Sequence, residues 1–437
     1  MDAHHVEQAL TSVIDPDLGI DIVALGLVED VVCEPTHISV RIRPTSPGCP
    51  AKEQIRAEAE HALVAAFSDR TISVSLAQER PIDETLRPWP VLAAPLAVLT
   101  LVLGTLGGLV RLGWAVPAPA TAVGAHGPLM AVGFFGTVIA LERAVALRSG
   151  PSRIAPVLIG AGAIGLLAGV SAAAWLMVAG GLCMAAGMAA ATWEHRSPEL
   201  AAGTAGALSM TAGVLLWALG LPASVVAWLW AAFLVVTVAG ERLELAALLE
   251  KRPSSGRELG ACSALLLGGA ALAAAAPSLG QPVVGAGLLA IGGWLLLRDP
   301  GWRGLARPGA PRIAGLAMLA GQGWLVVAGL LLVTQAPLAG GPAYDAALHA
   351  VFLGFAVSMV FAHAPTIVPA LTGVAVRSHR GLYLPLALLH AGLIWRALPA
   401  ATGFGDRAVG GLLTALALAL YPLLLAPTAL VRARTSR

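Results

Sequence analysis

From Trp89 to Val431 the chain is a succession of apolar stretches separated by short turns in which the charges collect. A bilayer's hydrocarbon core is roughly 30 Å thick and takes about 20 apolar residues of helix to cross. Twelve such spans can be drawn, the first at 89–110, the second at 122–147, the sixth at 223–249, the tenth at 344–373 and the last at 407–431. The composition agrees: 57% of the 437 residues are hydrophobic and 12% charged, with a mean hydropathy of +0.80, whereas soluble chains carry roughly 25% charged residues. The charges concentrate before residue 89. The sequence therefore predicts a small α+β domain at 1–88 fused to an all-α polytopic membrane domain at 89–437.

Orientation follows from the basic residues. Arg148, Arg153, Arg196, Lys251, Arg252, Arg257, Arg298, Arg377, Arg380 and Arg432 fall on the side of the N-terminal domain, and the other side has little beyond Arg111, Arg396 and Arg407. Cytoplasmic loops hold the excess of Lys and Arg. Both termini are expected in the cytoplasm, with the chain multi-pass in the inner (cytoplasmic) membrane. Met1–Glu7 is polar and does not read as a signal peptide. A net charge of +2 gives no reason to expect nucleic acid as a partner. Four cysteines without a Cys-x-x-Cys pair predict neither a disulfide framework nor covalent haem.

Within 1–88 the pattern predicts a helix over 3–14, stopped by Pro16, and an extended segment up to Val28. A strand at His37–Arg43, an amphipathic helix at Ala51–Phe67 and a second alternating strand at Thr71–Leu76 follow. Cys49 stands in Pro44-Thr-Ser-Pro-Gly-Cys-Pro50, just before the second helix. A helix N-terminus favours thiolate there, and a small residue buried at a turn is the equal alternative. The strings DPDLGIDIVALGLV and TSPGCP, at this spacing, resemble the iron–sulfur cluster assembly domain of the SufT and PaaD type. The resemblance covers nearly all of 1–88. It implies a reactive cysteine at Cys49 with Asp15 and Thr45 as neighbouring polar positions, and a transient iron–sulfur cluster passed to client or scaffold proteins. Clusters take four ligands, so a homodimer, a client or a second carrier would complete the set.

The spans themselves carry histidine, which is costly in lipid and by default marks a functional site. His126 opens the second span and His349 lies near the start of the tenth. Two even-numbered spans run in the same direction, so these imidazoles share a depth, as axial ligands of one membrane-embedded haem must. Asp345, one turn before His349, is placed to accept its other N–H, and Gly124, Ala125 and Gly127 leave space beside His126. The alternative is that each is an interfacial side chain near a helix end. His363 and His390 come to similar depths in the tenth and eleventh spans, as a second metal or haem site or a chance pairing. Pro365 and Pro369 are expected to break or kink the tenth helix and expose backbone carbonyls there.

The strings HGPLMAVGF and LHAVFLGF resemble the NnrS family of haem- and copper-containing membrane proteins, and the twelve-helix plan resembles haem-copper oxidase subunit I. The resemblance implies haem b, with copper as a further metal, and a redox or sensing role. The sixth and seventh spans contain no histidine, so the oxidase copper centre is not expected. Ala-x-Glu-Arg recurs at Glu142-Arg143 and Glu241-Arg242, four spans apart, which suggests four-helix units; the pairs read as salt bridges between helices or snorkelling arginines, with a proton or ion path as the alternative. No hydrolase triad, phosphate loop or paired catalytic carboxylates appear, so a conventional enzyme is not expected. Transport of a metal or sulfur species, or simple anchorage of the first domain, are the competing readings.

Overall fold

The computed structural model describes residues 3–14, 21–43, 52–76, 88–147, 150–249, 254–372 and 379–435. The N-terminal domain is a three-stranded sheet carrying two helices, α1 (Ala3–Leu10) and α2 (Lys52–Ala66), with strands β1 (Val28–Cys33), β2 (His37–Ile42) and β3 (Thr71–Leu76) in the order β1-β2-β3. β1 pairs antiparallel with β2, and β2 pairs parallel with β3. A parallel pair cannot be closed by a tight hairpin; α2 supplies the crossover. Its residues Ile55, Ala59 and Leu63, one turn apart, are buried against Ile38, Val40 and Ile42, the alternate residues of β2. Val6 and Leu10 of α1 complete the same core.

The rest is helical. Among the described residues twelve helices are long and apolar enough to cross a membrane. They are α3 (Ala93–Arg111), α4 (His126–Leu147), α5 (Gly150–Leu167), α6 (Ser171–His195), α7 (Pro198–Ala218) and α8 (Ala223–Glu244). α9 (Ser255–Ala275), α10 (Pro277–Arg298), α11 (Ala310–Gln335), α12 (Gly341–Pro365), α13 (Arg380–Thr402) and α14 (Arg407–Leu425) complete the set. Burial separates them into two classes: α4, α8 and α12 are 61, 78 and 72% buried, the other nine at most 56%. These three are four helices apart, as the four-helix repeat requires, and they form the centre of the body.

The Glu-Arg pairs act between central helices. Arg143 of α4 donates to Glu241 of α8 at 2.5 Å and to Glu142 at 2.7 Å. Arg242 donates to His363 Nε2 at 2.7 Å and pairs with Asp299 at 3.1 Å, and Gln322 of α11 donates to the same Asp299 oxygen at 2.7 Å. Arg242, Asp299 and Gln322 are all buried.

The expected break at the prolines of the tenth span does not occur. The helix runs on from Ser358 to Thr372, through Pro365 and Pro369. A proline removes the hydrogen bond to the carbonyl four residues back, here Phe361. The hydroxyl of Tyr421 on α14 donates to that carbonyl at 2.6 Å, with its ring stacked on Phe361 at 3.9 Å. Tyr421→Phe keeps the stacking and leaves the carbonyl bare, a cost of about 1–3 kcal/mol. Thermal unfolding of the full chain in detergent is expected to show a lowered Tm; an unchanged Tm would mean the hydroxyl does not serve the helix.

Candidate functional site

In the N-terminal domain Cys49, Asp15 and Thr45 lie outside the described residues. Cys33, at the end of edge strand β1, is a free, half-buried thiol packed against the domain core, the placement of a packing residue. α2 begins at Lys52, three residues after Cys49 in the sequence.

The helical body brings His126 and His349 together. Their ring centroids are 6.5 Å apart and their planes 22° apart. Each ring is fixed through Nδ1 by a backbone carbonyl: His126 at 2.7 Å from Gly104 O on α3, His349 at 2.7 Å from Asp345 O one turn back. A carbonyl can only accept, so Nδ1 carries the hydrogen and Nε2 has the free lone pair in both neutral rings. Helix α3 makes room for this with a glycine. A methyl added at Gly108 would stand 2.7 Å from Cε1 of His126.

Both histidines are followed at once by a widened turn of π-helix, Leu129–Phe134 in α4 and Ala350–Val357 in α12. One residue beyond the α-helical count rotates everything after it, so each imidazole keeps its own direction while the rest of its helix packs in the body. Such bulges occur mostly at functional positions.

Asp345 differs from its expected role. Its carboxylate accepts two hydrogen bonds from Arg396 of α13, at 2.6 and 2.7 Å, and stands 3.5 Å from His349 Nδ1. Arg396 Nη2 also lies 3.2 Å from His349 Nε2. The guanidinium thus ties the carboxylate to the imidazole; in the sequence Arg396 counts only as one of the few basic residues on the side away from the N-terminal domain. The signal was present: an arginine inside an apolar span needs a partner, and Asp345 stands at the same end of the body.

His363 and His390 have separate partners. His363 is held by Arg242 through Nε2 and by Met359 O through Nδ1, while His390 Nδ1 accepts from Trp324 Nε1 at 3.1 Å. Equal depth placed them together in the sequence reading; the structure engages each with a neighbour of another kind. Among the described residues no group of three or more His, Cys, Asp or Glu is arranged to hold a metal ion.

A family model described as "Domain of unknown function (DUF8744)" matches residues 90–430. The chain belongs to this family. A second model, described as "Iron-sulfur cluster assembly protein", matches residues 4–75, and the N-terminal domain is an iron–sulfur cluster assembly domain. The Fe-S protein maturation auxiliary factor YitW of Bacillus subtilis (strain 168) is 48% identical over 58 residues, 13% of this chain and 55% of the relative. The chain thus spans about half the length of that curated relative. A crystal structure of a DUF59 domain from Bacillus anthracis is 32% identical and covers 19% of this chain and 79% of its own, with a TM-score of 0.17.

Proposed function

We propose that this DUF8744 protein crosses the inner membrane twelve times with both termini in the cytoplasm, and joins an iron–sulfur cluster assembly domain to a haem b held between His126 and His349. The observation that carries this reading is the 6.5 Å between the two rings. Metal–imidazole bonds run about 2.0–2.1 Å, which sets the rings on either side of one metal atom roughly 6 Å apart. With Nδ1 of each ring on a backbone carbonyl, Nε2 is the nitrogen left to ligate, and with two protein donors the remaining four ligands are those a porphyrin brings. Space supports it too: a methyl added at Gly127, next to His126, meets nothing within 4 Å. Ligation at His349 requires the Arg396 N–H to leave Nε2, while the Asp345 carboxylate retains the arginine. Copper is the alternative metal. It would need donors beyond the two imidazoles.

In this reading the haem senses redox state or moves electrons for cluster assembly at Cys49, with Asp15 and Thr45 beside it, and iron–sulfur client or scaffold proteins are the partners, with a homodimer as one way of completing the cluster ligands. Client-enzyme activity in cells lacking the native protein tests the link. Cys49→Ser and His349→Ala are each expected to fail to restore it. Full restoration by residues 1–88 alone would reduce the membrane half to an anchor and overturn the coupling. Transport of a metal or sulfur species is the second reading, favoured by the polar line from Arg143 and Glu241 to Arg242 and His363 across the central helices; metal uptake that depends on Glu241, in protein that binds no haem, would establish it.

A further inference from the structure

A small cavity lies at the end of the body where the Glu-Arg pairs sit, far along α4 and α8 from His126. It has a volume of about 10 Å³ and is lined by Arg143, Met188, Glu199, Thr237, Glu241 and Glu244, room for about one water. Glu244 is exposed, so it forms the mouth. Glu241 stands one helical turn deeper, and Thr237 one turn deeper again.

Thr237 is only 4% exposed and its hydroxyl has no hydrogen-bond partner. A buried hydroxyl without a partner costs about 1–3 kcal/mol, and a water in the cavity it lines would remove that cost. Arg143 Nε is likewise buried without a hydrogen bond. The charges converging here come from three helices: Glu142 and Arg143 of α4, Glu199 of α7, and Glu241 and Glu244 of α8. Helix α6 contributes the uncharged Met188. Arg242, next on α8, faces Asp299 and His363, and Glu258 of α9 faces Arg298. Four carboxylates thus share one guanidinium. Arg143 bridges Glu142 and Glu241, and no cation among the lining residues is left for Glu199 and Glu244.

We propose that this cavity is a proton-exchange site, in which one water bound by Thr237 carries a proton between the exposed Glu244 and the inner Glu241, the carboxylates sharing it in place of a second cation. The transfer is balanced: an O–H bond of hydronium or of Glu244 breaks as one forms on the cavity water, and that water passes a proton to a Glu241 oxygen. No electron moves. This site is independent of the histidine pair and needs no haem.

Infrared difference spectra of the full chain in lipid nanodiscs, recorded as pH is stepped in water and in deuterium oxide, test it. Wild type is expected to show a titrating carboxyl band that is lost in Glu241→Gln and retained in Glu7→Gln, a change in the N-terminal domain. Thr237→Val, which leaves the Arg143 bridge intact, is expected to keep the band and slow its hydrogen–deuterium exchange several-fold. Glu244→Gln is expected to slow exchange likewise. Identical bands and exchange rates in all four variants would overturn the proposal. So would loss of the wild-type band when sodium replaces choline, which would assign the cavity to a metal cation.

Discussion

His126→Ala and His349→Ala are each expected to abolish the haem absorbance of the purified protein, not to halve it. In the proposed site each ring would hold the haem iron from one side, and among the described residues no group of three or more His, Cys, Asp or Glu is arranged to hold a metal in its place. The rings are held by different helices and different carbonyls, Gly104 on α3 and Asp345 on α12, so removing one leaves the other in place. Near-complete loss in both variants, with unchanged helix content and monodisperse elution, is the expected pattern. His390→Ala, whose ring is held by Trp324, is expected to retain the spectrum. Equal loss in all three would mean that the substitutions act through folding.

Asp299→Ala is expected to be the most destabilising single change in the helical body. Asp299 is 2% exposed and Arg242 6%, so truncating the carboxylate leaves a guanidinium buried without its counter-ion, at a cost of about 3–5 kcal/mol. Gln322 loses its acceptor at the same time. The Asp299 carboxylate accepts from the Gly301 N–H and the Gln322 amide on separate oxygens; Asp299→Asn keeps one of the two acceptors and is expected to lose less. Denaturant unfolding of detergent-solubilised protein measures the order Asp299→Ala below Asp299→Asn below wild type; equal midpoints would show that the ion pair carries no stability.

The parts of the fold governed by local pattern were legible in the chain. β2 and β3 alternate, α2 repeats its apolar residues by turns, and the apolar spans match the helices in number. β1 was not placed: the extended segment drawn up to Val28 is turn at 22–26 and the strand begins at Val28, where Glu29 and Asp30 put two charges side by side on an edge strand. The helix through Pro365 was not legible, since its missing hydrogen bond is replaced by Tyr421, 60 residues away. Depth along a helix is readable from sequence but rotation is not. Depth alone put His126 beside His349, which the structure bears out, and put His363 beside His390, where the structure finds Arg242 and Trp324 instead. The π-helical turns that aim the first pair leave no mark in residue type. The partner of Arg396 was not legible for a related reason: a count of basic residues by side gives its end of the span but not its rotation, and it is 6% exposed.

The central claim is that His126 and His349 share one haem iron. Purify the full chain from haem-replete cells and record its reduced-minus-oxidised optical spectrum together with the ferric electron paramagnetic resonance spectrum. The expected result is a b-type spectrum at one haem per chain with a low-spin ferric signal of bis-imidazole type. Protein that is folded and free of haem under these conditions, or that carries only a high-spin ferric signal, would contradict it.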